Sequence, residues 1–156
     1  MRVRLAEEDD IAFVMAVERT PGYARVIGQW PEARHRAVQA DPAWAVLIGE
    51  REEQRRGFAI LRGRDTRRPA IQRIAVAEAG QGEGRDLLAA VIDHAFGAFG
   101  LATLSLEVFA HNTRARRAYA RAGFAPVGFV PEAWRLADGT VVDDVLMRLS
   151  AVPPAR

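Results

Sequence analysis

The sequence predicts a mixed α/β domain arranged in layers around a single sheet. Apolar residues recur at helical spacing in some segments and alternate at strand spacing in others along the 156 residues. The predicted order is a strand, helices, three strands, a helix, a strand, a helix and two strands, which is typical of helices packed on a central sheet. A chain of this length commonly folds as one unit, so residues 1–156 are expected to form a single domain.

The N-terminal half is predicted to alternate short helices and short strands. Acidic residues in the first turn favour a helix over 7–18, and the apolar run 44–49 favours a buried strand that a charged hairpin joins to the next one. The predicted elements are strand 3–6, helix 7–18, helical pieces 22–29 and 32–39, strand 44–49, hairpin turn 50–56, strand 57–61 and strand 70–77. In the last of these, Ile71 and Ile74 break strict alternation, which predicts a bulge near Gln72–Arg73.

The C-terminal half begins with a glycine-rich turn and a strongly amphipathic helix. Seven apolar residues between Leu87 and Phe99 fall on one helical stripe, and Gly97 and Gly100 mark its end. Residues 101–109 alternate as a strand, with Glu107 on the face opposite Leu104, Leu106 and Val108. A second helix is expected at 113–122, followed by strands at 124–130 and 141–149.

The composition excludes several classes of function. All 22 basic residues are arginine, but the net charge is only +2, which gives no reason to expect a nucleic-acid partner. The absence of cysteine excludes disulfides and thiol chemistry and fits a cytoplasmic location. No apolar leader and no span of about 18 apolar residues is present, so no membrane partner is expected. No His, Asp or Glu spacing resembles a metal site, so no metal is expected.

Two segments carry the chemistry. The run Gln81-Gly82-Glu83-Gly84-Arg85 joins a strand to a helix start, where flexible backbone and unpaired N–H groups can form a phosphate cradle. The second segment, 112–124, begins with Asn112 as a helix cap and places Ala115 and Tyr119 on one helical face. Taken singly, each segment also fits a purely structural role, as a glycine turn and as a capped helix with a core tyrosine.

Together the two segments resemble a known family. Ile74-Ala75-Val76, the turn at 81–84 and the pattern Asn112, Ala115, Tyr119, Gly123-Phe124 are similar to the GNAT superfamily of acetyl-CoA-dependent N-acetyltransferases. The resemblance is dense over residues 70–130, and in pattern it is nearest to the ribosomal-protein alanine N-acetyltransferase branch and its relatives. It implies the acyl-CoA N-acyltransferase fold, a mostly antiparallel mixed sheet of roughly six or seven strands flanked by about four helices.

The resemblance implies acetyl-CoA as co-substrate and a set of binding residues. The backbone of Ile74, Ala75 and Val76 would pair with the pantetheine arm as an added strand would. The residues implied at the diphosphate are Gln81, Gly82, Gly84, Arg85 and Asp86, and those implied at the cofactor arm are Asn112 and Ala115. The family has Gly or Ala at the position of Asp86, and a carboxylate there is unfavourable unless it points away or bonds a cation such as Arg85.

The resemblance also implies the catalytic groups. Tyr119 would lie beside the thioester sulfur and protonate the leaving thiolate during direct attack in a ternary complex. Glu107 lies twelve residues before Tyr119, a spacing that resembles the base and acid of the ribosomal-protein branch. It could deprotonate the amine, through water, or it could be a solvated or salt-bridged strand carboxylate.

The acceptor is the least determined part. Tyr23, Trp30, Trp134 and Glu107 are candidate acceptor-binding residues, with core packing as the alternative for the aromatic ones. Glu132, Asp143 and Asp144 could attract a cationic amine or belong to a solvated hairpin. The acceptor could be a protein N-terminus, an amino acid, a polyamine or an aminoglycoside, and the resemblance favours a protein or peptide α-amine.

Two other classes of function compete with the enzymatic interpretation. One is a non-catalytic module that binds acetyl-CoA as a sensor or interaction domain, and the other is a structural α/β domain without a cofactor. If the last strands are exposed, they offer an edge on which two copies could pair, so a homodimer is one of the expected states.

Overall fold

The computed structural model describes residues 1–23 and 28–151. Its strands are β1 (Arg2–Leu5), β2 (Ala45–Arg51), β3 (Gln54–Arg62), β4 (Ala70–Val76), β5 (Thr103–Phe109), β6 (Ala125–Arg135) and β7 (Val141–Ser150). Its helices are α1 (Ile11–Glu18), which a 3₁₀ turn at Glu8–Asp10 precedes, α2 (Glu32–Ala40), α3 (Glu83–Phe96) and α4 (Thr113–Arg121). Residues 24–27 of the helical piece predicted at 22–29 lie outside the described residues.

All seven strands form one sheet in the order β1-β2-β3-β4-β5-β7-β6. β4 and β5 run parallel, whereas the other neighbouring strands run antiparallel. Parallel neighbours need a crossover connection, and α3 provides it between β4 and β5. The predicted mixed, mostly antiparallel sheet is therefore confirmed.

Helices cover both faces of the sheet and produce three layers. On one face, α3 and α4 pack over a core that includes the fully buried side chains of Leu47, Leu61 and Leu104. On the other face, α1 and α2 pack over a core that includes Ile48 and Phe58. Helices α1 and α2 cover β2, β3 and β4 but leave part of the same face of β5 and β7 open. Glu107 on β5 is exposed in this open part.

Three strand details bear on the predictions. The hairpin predicted over 50–56 is shorter, because β2 and β3 continue until only Glu52 and Glu53 form the turn, both with positive φ. Charged residues can occupy these strand ends because their side chains reach solvent. The predicted bulge in β4 is confirmed: Ile60 pairs with Arg73 but Leu61 pairs with Ile71, which leaves Gln72 as the extra residue. β6 extends beyond the predicted end, with irregular pairing between Val130 and Trp134.

Candidate active site

β4 and β5 separate after a short parallel contact. In the described part of the chain their registered pairs are Ala70 with Ser105 and Ile71 with Leu106. β4 then continues to Val76 and β5 to Phe109, so a wedge-shaped gap opens between the C-terminal ends of the two strands. Main-chain groups on the edges of such a gap are available to pair with an extended ligand.

The register of β3 and β4 shows which main-chain groups face the gap. The Ala77 N–H donates to the Arg56 carbonyl at 2.8 Å, and Val76 lies opposite Gly57. Antiparallel alternation then turns the N–H and C=O of Ala75 towards β3, whereas those of Ile74 and Val76 point into the gap. The Tyr23 hydroxyl donates to the Val76 carbonyl at 2.5 Å, which agrees with this direction. Of the three predicted strand residues, Ile74 and Val76 present main-chain groups to the gap, and Ala75 does not.

The glycine turn lies where β4 leads into α3. Gly80 and Gly82 have φ of 83° and 75°, which favours glycine at both positions. Gly84 lies in the first turn of α3 with ordinary helical backbone, and a Cβ there would have no atom within 4 Å. Glycine at position 84 is therefore required neither by the backbone conformation nor by contact with another part of the protein. The first-turn N–H groups lack helical acceptors and carry partial positive charge, so the turn can receive a phosphate.

Asp86, the residue that departs from the family pattern, has a cationic partner in the structure. Its carboxylate accepts a hydrogen bond from the guanidinium of Arg51 at 2.7 Å, and Arg85 lies farther away at 3.7 Å. Glu83, in the same helical turn, forms longer ion pairs with Arg51 at 3.5 Å and Arg56 at 3.7 Å. The β2–β3 hairpin therefore supplies cations that neutralise both carboxylates beside the cradle. The predicted guanidinium partner exists, and Arg51 rather than Arg85 makes the short bond.

Helix α4 positions Asn112, Ala115 and Tyr119. The side-chain Oδ1 of Asn112 accepts the Ala115 N–H at 3.2 Å, so Asn112 caps the helix as its sequence position suggested. The Tyr119 ring packs edge-on against Phe124 with centroids 6.0 Å apart, and Ala115 borders the same core. Burial raises the pKa of Tyr119, so its phenol is protonated at neutral pH. Its hydroxyl bonds to no group in the ranges that the structure describes.

Glu107 lies on the opposite face of β5 from this core. It directly follows Leu106, the last residue of β5 paired with β4, so it stands where the gap begins. Its side chain is 46% exposed and lies 3.9 Å from the Arg62 guanidinium. Partial burial raises the pKa of Glu107, the charge of Asp144 raises it further, and Arg62 opposes both effects. Glu107 thus lies at the start of the gap on one face of the sheet, and Tyr119 packs in the core on the opposite face.

The three aromatic residues predicted at the acceptor lie in different environments. Tyr23 bonds to the end of β4, as described above. Trp30 is buried in the core beneath α1 and α2, with the guanidinium carbons of Arg73 and Arg34 at 4.2 and 4.4 Å from its ring centre. Trp134 is 55% exposed on β6, and its indole N–H donates to Asp144 at 2.8 Å. Trp134 and Glu107 are thus both associated with Asp144, whereas Trp30 belongs to the core.

A buried charged cluster beneath α1 and α2 was missed by the sequence interpretation. Glu18 is fully buried, and its two oxygens accept hydrogen bonds from His35 at 2.6 Å and Arg73 at 2.9 Å. Arg73 also donates to the carbonyl of Gly28 at 3.1 Å. The cluster ties α1, α2 and the chain between them to β4. Only the charged residues Glu18 and Arg73 at otherwise apolar positions hinted at it.

Comparisons with known proteins agree with this geometry. The model of the acetyltransferase (GNAT) family matches residues 7–124. The fold is similar to the ribosomal-protein-S18-alanine N-acetyltransferase of Escherichia coli, with a TM-score of 0.79, 24% identity, and coverage of 98% of this chain and 95% of that one. It is also similar to spermidine N-acetyltransferase of Vibrio cholerae in complex with CoA and spermine, with a TM-score of 0.82, 19% identity, and coverage of 95% and 94%. No curated protein sequence matches the chain.

The chain belongs to the acetyltransferase (GNAT) family, and the family resemblance found in the sequence is confirmed. As a member it is an acetyltransferase, and its own mixed sheet opens between β4 and β5. Within the described residues, no three His, Asp or Glu side chains are grouped as a metal site. No described helix has the length and apolar character needed to cross a membrane.

Proposed function

We propose that the protein transfers an acetyl group from acetyl-CoA to a primary amine, by direct attack in a ternary complex. The observation that carries this proposal is the gap between β4 and β5. It begins beside Glu107 on one face of the sheet and leads to the glycine turn, and Tyr119 packs in the core on the opposite face. A thioester in the gap would be reached from one face by Tyr119 and from the other by Glu107.

The residues around the gap fit acetyl-CoA. The Ile74 carbonyl and the Val76 N–H, which point into the gap, would pair with the two amides of the pantetheine arm, as an additional strand would. The diphosphate would lie over the amides of Gln81, Gly82, Gly84, Arg85 and Asp86, where the glycine at 84 leaves open space. Asn112 and Ala115 would border the arm from the start of α4.

The proposed chemistry moves three protons. Glu107, with its raised pKa, removes one proton from the bound ammonium and later releases it to solvent. The neutral amine attacks the thioester carbonyl, whose oxygen the Ile74 N–H, which points into the gap, would polarise. The C–S bond then breaks, Tyr119 donates its proton to the sulfur, and the second amine proton returns to Tyr119 through solvent. The net products are an acetamide, CoA thiol and one proton.

The acceptor is proposed from both neighbours in fold. The E. coli protein is named for an alanine of a ribosomal protein, and the V. cholerae protein for spermidine. Either a peptide α-amine or a small-molecule amine would present the ammonium that this reaction requires. The competing function is an acetyl-CoA-binding sensor or interaction module, in which binding occurs without transfer. Cytoplasmic location, a single domain over 1–156 and a homodimer stay predictions.

A turnover assay separates the two functions. Acetyl-CoA would be offered with spermidine, with a peptide beginning in alanine and with free amino acids, and release of CoA thiol would be measured. We expect turnover with at least one amine and a loss of kcat of about 10²-fold or more in Tyr119→Phe. The same variant should still bind acetyl-CoA. Binding without turnover across the whole panel would favour the sensor, and undiminished turnover in Tyr119→Phe would remove the acid assignment.

A further inference from the structure

We propose that Asp144 and Glu107 together bind the ammonium group of the acceptor, and that Asp144 selects acceptors that arrive as cations. This inference rests on the proposed acetyl transfer and adds a residue that orients the acceptor. It concerns the open face of β5 and β7, on the side of the sheet that carries α1 and α2.

Asp144 has an oxygen whose hydrogen-bonding capacity is not used. The residue is 3% exposed on β7, and its Oδ2 accepts the indole N–H of Trp134 at 2.8 Å. Its Oδ1 is also buried and accepts no hydrogen bond from the residues that the structure describes. A buried carboxylate oxygen without a donor is costly, so an unpaired one at the edge of a substrate site indicates that a donor arrives with the ligand.

The register brings Glu107 beside this oxygen. Asp144 lies directly opposite Phe109 on β5, and Glu107 is two residues earlier on the same face of that strand. Asp144 raises the pKa of Glu107 through its charge and through a hydrogen bond that the protonated Glu107 can donate to it, so the two carboxyl groups lie close together. When Glu107 is deprotonated it has no proton to donate, and an incoming ammonium group would supply the donor instead. Arg62 is the cation that faces Glu107, at 3.9 Å, and its Nε is bound to Gln72 instead.

An ammonium group matches this arrangement. It offers three N–H donors and one positive charge. Of the two carboxylates, Glu107 has only Arg62 as a cation, at 3.9 Å, so an ammonium group would supply charge that the site needs. It would satisfy Oδ1 of Asp144 while presenting a proton to Glu107. Glu107 alone then removes that proton, and Asp144 remains charged and holds the nitrogen in position. A hydroxyl or a neutral weak amine would leave one of the carboxylates without a compensating charge.

The hairpin holds Asp144 in place. The Trp134 indole fixes one oxygen, and the neighbouring Asp143 accepts the Glu132 N–H at 2.7 Å. Glu132 has a positive φ of 52°, which shows how tightly the chain bends above the site. Asp143 is therefore a suitable control, because its carboxylate is next in sequence but serves the hairpin backbone.

The test compares Asp144→Asn with Asp143→Asn in the whole protein. KM for the amine, KM for acetyl-CoA and the pH dependence of kcat would be measured with spermidine and an alanyl peptide. In Asp144→Asn we expect the amine KM to rise about tenfold or more, because a charged hydrogen bond is lost. The KM for acetyl-CoA should not change, and the acidic limb of kcat should move to lower pH, because Glu107 loses the charge that raises its pKa. Asp143→Asn should change none of these.

The outcomes separate this inference from the proposed function. If the wild-type protein acetylates no amine, the proposed function fails and this inference fails with it. If the wild type is active and the two Asn variants behave alike, the inference alone is overturned. If Asp144→Asn does not fold, Trp134→Phe serves as the second variant. It removes only the indole N–H that bonds to Oδ2 of Asp144 and leaves the carboxylate in place. It should raise the amine KM and not that of acetyl-CoA, and an unchanged amine KM would overturn the inference.

Discussion

The regions that we propose for the cofactor and for the acceptor are built differently. The cofactor region consists of the end of β4, the glycine turn and the start of α4, and it presents main-chain groups of residues close together in sequence. The acceptor region is assembled from side chains that come from distant elements, as the pair of Glu18 and Arg73 illustrates. A site built from backbone leaves a short motif in the sequence, whereas a site built from long-range side-chain pairs leaves none.

This difference explains why the family could be inferred and the acceptor could not. Glycines at 80 and 82 with positive φ, and a helix cap at Asn112, are local demands that restrict residue type at fixed spacing. The described residues between α1 and α2 also include two glycines with positive φ, Gly22 and Gly28, but α2 has no side-chain cap. Their neighbourhood is fixed instead by hydrogen bonds to β4 from residues that lie 53 and 45 positions apart in sequence, Tyr23 with Val76 and Gly28 with Arg73. The predictions below test whether changes in the two regions separate cofactor binding from acceptor binding.

The largest effect is expected from Glu107→Gln. Loss of the base should lower kcat by about 10²–10⁴-fold while acetyl-CoA binding is unchanged. In the wild type, kcat should rise with pH through the raised pKa of Glu107, since the base acts when deprotonated, and this limb should disappear in the variant. Glu53→Gln, in the exposed β2–β3 turn, is the matched control. An unchanged pH profile in Glu107→Gln would contradict the assignment of the base.

Arg73→Met tests the buried cluster of the acceptor region. Removing this partner leaves Glu18 with less compensation, and the free energy of unfolding should fall by about 3 kcal/mol. At temperatures where the variant is folded, the amine KM should rise more than that of acetyl-CoA, because the cluster holds the chain at Gly28. Urea titration and steady-state kinetics measure both.

The control for that change is Arg34→Met. Arg34 also stacks on Trp30, but it is exposed and has no bond to Glu18. Its loss should cost less than about 1 kcal/mol. Equal destabilisation by the two variants would show that stacking on Trp30, rather than the ion pair, holds this part of the chain.

Gly84→Ala tests the glycine turn with a change that should raise stability while it weakens acetyl-CoA binding. Because a Cβ at 84 meets no protein atom within 4 Å, alanine should stabilise α3 by about 0.5–1 kcal/mol. If the diphosphate approaches this backbone closely, the same methyl group should weaken acetyl-CoA binding. Thermal melts and calorimetric titration with acetyl-CoA measure the two effects.

The control is Ala89→Gly, on the exposed side of the same helix, which should lower stability and leave binding intact. Unimpaired binding by Gly84→Ala would place the phosphates elsewhere.

The smallest effect is expected at the ion pair between Arg51 and Asp86. Both side chains are more than one third exposed, so solvent screens the pair and it should contribute little to stability. Arg51→Gln should weaken acetyl-CoA binding, since it leaves Asp86 charged beside the diphosphate, and adding Asp86→Asn should restore it. Binding that is unaffected by either change would mean that Asp86 points away from the ligand.

How far the sequence predicts the molecule depends on the range of each interaction. The order of the strands and helices, the bulge at Gln72 and the cap at Asn112 follow from periodicity and local residue type. The partner of Asp86 could not be predicted, because Arg51 lies 35 residues away and meets it only when β2 packs beside α3. The burial of Asp144 and of Trp30 likewise depends on which strands and helices become neighbours. Alternation and helical spacing do not contain that information.

A structure of the protein with acetyl-CoA tests the central claim most directly. The account predicts that the pantetheine amides bond to the main chain of Ile74 and Val76 rather than Ala75, with the diphosphate over Gly82 and Gly84. The sulfur should then lie within hydrogen-bonding distance of the Tyr119 hydroxyl, with Glu107 facing the acetyl group from the other side of the sheet. A ligand bound outside the gap, or a sulfur remote from Tyr119, would contradict the account.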